Sequence, residues 1–313
     1  MSTTQKVEAP AARRGRHLSQ RQVEGLLGLL FVSPYIVHFV VLQAGTILYS
    51  LFLSFFESDM LTTMKFIGLD NYRYLFENEP LFLQTLKVTA IYTFVAVPVA
   101  TILSMSIAVL LNQNLRYQGI FRTLYYMPAV VSGVAVALVW MWVLQPDYGL
   151  SAVIFNALGM QSPRWFWSEQ WALPGLIMIS LWGTGTNMLL YLAGLQAIPT
   201  QLLEAARIDG ANAIRVFLNI TLPMLTPTIF FNVILNIIGS FQVFVPAYII
   251  TQGGPNNATL TMVLLVYQKA FQNFHFGYAS SIAWVLFIVI LFFSLLVFHS
   301  SDRWVYYEGG VRR

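Results

Sequence analysis

The sequence contains no cysteine, and only 10% of its 313 residues are Asp, Glu, Lys or Arg, well under the roughly 25% of a soluble globular domain. Without cysteine there are no disulfides, no thiolate metal ligands and no cysteine nucleophile. A phosphate-binding loop is missing too. It requires Gly-Lys followed by Ser or Thr, and the four lysines follow Gln5, Met64, Leu86 and Gln268, so this chain has no P-loop route to ATP hydrolysis. His17, His38, His275 and His299 are far apart and form no His-Glu-x-x-His pattern, which removes that zinc-hydrolase motif. What fills the chain instead is apolar: 57% of residues are hydrophobic and the mean hydropathy is +0.66. This is the composition of a protein whose main solvent is lipid.

Six apolar stretches, at 25–56, 88–111, 124–144, 171–198, 224–250 and 276–300, contain no Asp, Glu, Lys or Arg. Each is near or above the ~20 residues that cross a bilayer as a helix. Helices are the default because every backbone polar group in lipid needs an internal partner. Tyr125, Tyr126, Trp171 and Trp304 sit at the edges of these stretches, as interfacial anchors do. Pro34 predicts a kink or an interfacial turn near the start of the first. The reading is an all-α polytopic membrane protein with six transmembrane helices in one domain at 25–300. It has no internal repeat, a tail at 1–24 and a second tail at 301–313.

Orientation follows from the basic residues. One set of segments holds Lys6, Arg13, Arg14, Arg16, Arg21, Arg116, Arg122, Arg207, Arg215, Arg303, Arg312 and Arg313; the other holds Lys65, Arg73, Arg164 and Lys269, with Lys87 at a boundary. The excess marks the cytoplasmic side, so both termini and the segment 199–223 are predicted to face the cytoplasm. The net charge of +4 and a pI near 9.3 are then a topology signal, and nucleic-acid binding drops out. The basic first 24 residues, with no cleavage site at signal-peptide distance, read as a retained tail.

The segment 199–223 is charged and glycine-broken between two apolar runs. Thr200 is placed to cap a short helix, with Glu204 near the positive end of its dipole. Asp209-Gly210 ends that helix, since glycine tolerates the left-handed turn beyond a helix end. A second short helix through Ile214, Phe217 and Leu218 follows, and Leu222-Pro223 redirects the chain into the fifth span. On physics alone, a helix pair lying on lipid headgroups is an equal reading.

Glu204-Ala205-Ala206, Gly210, Ile220 and Leu222-Pro223 match at every fixed position the Glu-Ala-Ala motif of permease subunits in bacterial binding-protein-dependent ABC importers. Asp209 and Ala211 complete an Asp-Gly-Ala form similar to the sugar permeases of the maltose type. Phe66-Ile67-Gly68-Leu69-Asp70-Asn71-Tyr72, Gly253-Gly254-Pro255 and Gly277-Tyr278-Ala279-Ser280 resemble the same branch, over roughly residues 25–300. The resemblance implies a permease of the bacterial inner membrane. Its Glu-Ala-Ala loop would dock on a cytoplasmic ATPase present in two copies, which carries the ATP and magnesium; this chain itself has no cofactor. It also implies a second, non-identical permease subunit and an extracytoplasmic binding protein that delivers a sugar or sugar-like solute.

Polar groups inside apolar spans must face protein or water, because burying them unpaired is costly. Asn232, Asn236 and Ser240 recur at helical spacing on the fifth span, with Gln242 nearby, and Trp182-Gly183-Thr184-Gly185-Thr186-Asn187 interrupts the fourth. Amides, hydroxyls and an aromatic plate suit a sugar; hydrogen bonding between helices would use the same amides. Aligned through the Glu-Ala-Ala motif, the resemblance implies that Trp182, Gly183, Thr186, Asn236 and Ser240 stand at substrate-contact positions, although side-chain types differ at several. The rival readings are a permease for a non-sugar solute, an ion-coupled carrier and a membrane enzyme. A carrier usually keeps ionisable groups in its spans, and only His38 and His299 lie in or near one.

Overall fold

The computed structural model describes residues 19–59, 64–113 and 116–306. Most of the basic tail, and Arg312 and Arg313, lie outside the described residues. The chain divides into two compact units, at Met1–Phe52 and Leu53–Arg313. In the first, α1 (Gln20–His38) passes through a π-helical turn at Phe39–Ala44 into α2 (Gly45–Leu53). Pro34 does not end the helix. Its missing N–H leaves the Leu30 carbonyl free, and the Ser33 hydroxyl donates to that carbonyl at 2.8 Å. The apolar side chains of this helix are open to their surroundings, Phe31 being 81% exposed.

The second unit starts with a small hairpin, β1 (Phe56–Ser58) against antiparallel β2 (Met64–Phe66), with Glu57 opposite Lys65. This is the one departure from an all-α chain among the described residues. α3 (Asp70–Glu77) leads to the long α4 (Phe82–Leu111), followed by α5 (Gln118–Val130), α6 (Gly133–Val143), α7 (Leu150–Ala157), α8 (Glu169–Trp182) and α9 (Gly185–Gln196). After α10 (Thr200–Ile208) and α11 (Ala213–Val216) come α12 (Leu222–Phe241), α13 (Met262–Tyr267) and α14 (Phe276–Trp304). Helices α4, α9, α12 and α14 pack side by side around buried Met188, Tyr191, Leu225, Phe241 and Ile282.

Four helices are long and apolar enough to cross a membrane: Glu24–Leu53, Phe82–Leu111, Ala213–Phe241 and Phe276–Trp304. The count reaches six only if each of two bent pairs makes one span. The stretch predicted as a single span at 124–144 is two helices, α5 and α6, whose axes differ by 101°. Pro128 removes a helical donor there, and Val131 takes an extended backbone before α6 begins. The stretch at 171–198 is α8 and α9, bent by 49° at Gly183-Thr184. The fifth stretch is also displaced from the predicted 224–250. Its helix begins at Ala213 and stops at Phe241, where the chain turns at Gln242 before the π-helical turn at Ala247–Thr251.

The glycine-containing motifs have packing reasons. The Asn71 amide is buried and donates to the carbonyls of Ser54 (2.8 Å) and Phe56 (3.0 Å), fastening α3 to the hairpin. Gly277 lies against the same Phe56 carbonyl with no room for a Cβ. At Gly185 a Cβ would overlap the Tyr125 carbonyl, so α9 meets α5 backbone to backbone, as small residues permit in membrane helices. Gly185→Ala is expected to destabilise the unit by about 1–3 kcal/mol. Gly239→Ala, with nothing within 4 Å of its Cβ position, should be neutral. Thermal unfolding of the detergent-purified variants checks both.

Loops that the charge pattern assigned to one side meet one another. Lys269 Nζ lies 2.7 Å from Glu79 Oε2, which also accepts from the Tyr278 hydroxyl at 3.0 Å. Gln84 donates to the Asn256 carbonyl at 3.1 Å, and the Asn256 amide donates to Glu169. At the other end, Asn112, Arg207 and Phe217 line a common cavity. The Tyr306 N–H donates to Thr226 Oγ1 at 2.8 Å.

Candidate functional site

The segment 199–223 folds as a helix, a left-handed turn and a second helix. Thr200 is the first helical residue of α10 and makes no capping bond. Pro199 stands at the N-cap instead, without a side-chain cap, which corrects the predicted Thr200 cap. The turn beyond α10 carries the motif glycine. Gly210 has φ +79°, its N–H bonds the Arg207 carbonyl at 3.0 Å, and the Ala211 N–H bonds the Ala206 carbonyl at 2.9 Å. This pair of bonds is the Schellman closure, which needs a left-handed residue at the Gly210 position. The Asn212 side chain then caps α11, accepting from the Arg215 N–H at 2.8 Å.

Beyond α11 the chain is not redirected at Leu222-Pro223. It continues through a π-helical turn at Phe217–Thr221 into α12, giving one apolar helix from Ala213 to Phe241. Pro223 cannot donate to the carbonyl four residues back, and the π turn just before it absorbs that loss. Pro227 likewise orphans the Pro223 carbonyl, which the Thr226 hydroxyl satisfies at 2.6 Å. Glu204, Ala205, Asp209 and Gly210 are exposed, while Ala206, Ala211, Ile220, Leu222 and Pro223 are half-buried. Around the turn, Ile208 is 86% and Ile214 70% exposed, leaving an apolar tip with charged flanks.

At the far end of that continuous helix, Asn236 and Ser240 line a cavity of about 350 Å³ with Tyr92, Gly239, Phe244 and Pro246. The Asn187 amide of α9 donates to Asn236 Oδ1 at 2.9 Å, and Asn236 Nδ2 is left buried without a partner. Asn232 is not on this cavity wall. It is fully buried, with Nδ2 donating to the Thr228 carbonyl at 3.0 Å. At 3.6 residues per turn, a four-residue step over-rotates by about 40°, so Asn232 and Ser240 face different neighbours.

Trp182 lines a separate apolar cavity of about 360 Å³ with Val131, Val139 and Leu150, edge-on to Trp140 at 5.4 Å. Gly183, Thr186 and Gln242 are exposed. The structure therefore joins Asn187, Asn236 and Ser240 but sets Trp182 apart from them. Tyr92, Phe244 and Trp140 were missed in the sequence; only their being ring-bearing residues in or beside apolar runs could have marked them.

A helical bundle with paired amides inside apolar helices and an exposed helix–turn–helix is the construction of a membrane permease. The chain belongs to the family described as the inner membrane component of binding-protein-dependent transport systems, whose family model matches residues 100–307, and is an ABC transporter permease. It is 40% identical over 304 residues to the probable ABC transporter permease protein YesP of Bacillus subtilis, covering 96% of this chain and 97% of that protein. It is 36% identical over 284 residues to the lactose transport system permease protein LacF of Rhizobium radiobacter, covering 88% and 93%. A chain of the bacterial alginate ABC transporter, solved with a pentasaccharide-bound periplasmic protein, shares the fold at TM-score 0.80 and 21% identity, covering 91% of this chain and 97% of that one.

Proposed function

We propose that the chain is one of two non-identical permease subunits of an ATP-driven importer for a sugar or sugar-like polyol. A cytoplasmic ATPase pair docks on residues 199–223, and an extracytoplasmic binding protein delivers the solute at the opposite end. Both termini face the cytoplasm, as the distribution of Lys and Arg supports. The sugar assignment draws on relatives such as the lactose permease LacF and on the chemistry of the cavity, where the Asn236 amide and the Ser240 hydroxyl lie among rings.

The observation that carries the mechanism is the unbroken helix from Ala213 to Phe241. Glu204, Ala205, Asp209 and Gly210 present the docking surface, with Ile208 and Ile214 as its apolar tip. Ala206, Ala211, Leu222 and Pro223 hold the turn and the helix start behind it. From Ala213 to Asn236 the helix is about 35 Å long at ~1.5 Å per residue, and a helix transmits displacement along its axis. Movement of the docked ATPase thus shifts Asn236 and Ser240 against Asn187 of α9 and Tyr92 of α4, opening or closing the cavity that α12 and the segment after it line with Tyr92. Trp182, Gly183, Thr186 and Gln242 extend the path, and Asn232 anchors the helix beside it.

Purification of the tagged chain from its native membranes tests the assembly. A non-identical permease and an ATPase should co-elute, whereas a transport-competent homodimer would refute the heteromeric part. A ligand screen of the cognate binding protein tests the solute class, and an amino acid or metal as its only ligand would remove the sugar assignment.

A further inference from the structure

The cavity wall at Phe244 opens onto a run of aromatic rings. Phe244 stacks on Tyr248 with centroids 5.2 Å apart and planes within 12°. Tyr248 meets Tyr267 at 4.9 Å, Tyr267 meets Phe271 at 5.4 Å, and Phe271 meets Phe276 at 5.6 Å. From Phe244 the run crosses the π-helical turn at Ala247–Thr251, α13 and the π-helical turn at Gln268–Gln272, and ends at the start of α14. The turn at Gln268–Gln272 also carries Lys269, the partner of Glu79, so the rings lead from the cavity toward the end of the bundle where these loops meet.

Two features set this run apart from core packing. One of its members is not covered: Phe271 is 59% exposed, while Phe244, Tyr248, Tyr267 and Phe276 are half-buried. The run also carries polar groups in step with its rings. The Tyr248 and Tyr267 hydroxyls share a hydrogen bond at 3.3 Å. At the inner end Asn236 Nδ2 is buried with no acceptor. A lipid-facing surface would have no use for paired hydroxyls and a free amide donor at its foot. A pyranose has an apolar C–H face and a rim of hydroxyls, and aromatic rings with interleaved hydroxyls satisfy both.

We infer that Phe271, Tyr267, Tyr248 and Phe244 form a carbohydrate-binding track that passes sugar rings to the Asn236 cavity. The inference rests on the reading of that cavity as the substrate path. The test uses the full transporter with its binding protein in proteoliposomes, and uptake of radiolabelled lactose, arabinotriose and maltotriose. Tyr248→Leu and Phe271→Leu should each slow uptake of the transported sugar about tenfold, equivalent to ~1.4 kcal/mol of barrier. Phe271→Trp should stay near wild type, Tyr248→Phe, which keeps the ring but loses the hydroxyl, should fall between wild type and Tyr248→Leu, and binding-protein-stimulated ATP hydrolysis should persist in all four. Phe271 is exposed, so its variants do not depend on core packing. Wild-type uptake by both leucine variants, with uptake lost in Asn236→Leu, overturns the track and leaves the cavity. Equal loss in Phe271→Leu and Phe271→Trp shows that an aromatic face there does not matter and also overturns it. Wild-type uptake in Asn236→Leu as well, or uptake of none of the three sugars by the wild-type transporter, removes the underlying reading.

Discussion

Asn236→Leu is expected to abolish uptake while expression, assembly and basal ATP hydrolysis stay near wild type. Asn236 is held by the Asn187 amide on one side and leaves its own Nδ2 buried and unpaired on the other. Unpaired buried donors cost about 1–3 kcal/mol, so this side chain is poised to gain from a solute hydroxyl. Leucine removes that donor from a wall otherwise made largely of apolar groups and also strands Asn187 Nδ2 behind it. Loss of one solute contact worth about 1–3 kcal/mol lowers uptake by up to about 100-fold. Asn236→Asp keeps an acceptor for Asn187 and should assemble normally, which separates the path from packing. If Asn236→Leu instead fails to assemble, or transports like wild type, the amide pair only joins helices.

Gly210→Val is expected to uncouple ATP hydrolysis from uptake while the chain still inserts and assembles. At φ +79° an L-residue is strained by about 1–2 kcal/mol, and a β-branched residue adds stiffness. Nothing lies within 4 Å of the Cβ position, so the effect comes through the backbone and not through a clash. Strain of this size favours opening the closure made by the Gly210 and Ala211 N–H groups, which fixes the angle between α10 and the helix leading to Asn236. Gly210→Asn, which tolerates the left-handed region, should retain most coupling. Parallel assays of hydrolysis and uptake on both variants check the pair, and normal uptake by Gly210→Val would reduce Gly210 to an ordinary loop residue.

Much of this was legible before the structure, and the misses have definite causes. The Gly210 turn was readable because glycine after a short helix has few other uses, and its φ agrees. The apolar stretches marked where helices are but not where they bend. A proline alone does not say whether a helix ends. Ser33 and Thr226 satisfy the carbonyls freed by Pro34 and Pro227 and α4 runs on through Pro98, whereas the chain turns extended soon after Pro128. The same ambiguity hid the continuity through Pro223, where a π turn has no sequence mark. At the candidate path, spacing brought out Asn236 and Ser240. It could not show that Asn187 is the partner of Asn236, since that pairing crosses between helices 49 residues apart. Nor could it separate Asn232, whose burial depends on Thr228 and the helices packed around it.

The central claim is that this chain conducts solute while a separate ATPase supplies the energy through residues 199–223. The most direct measurement is sugar uptake into proteoliposomes built from this chain, its co-purifying permease, the ATPase and the binding protein, with each component left out in turn. Accumulation that requires all four together with ATP on the ATPase side, and that ignores a proton gradient, is the predicted result. Accumulation by this chain alone, driven by a proton or sodium gradient without ATP, would contradict it.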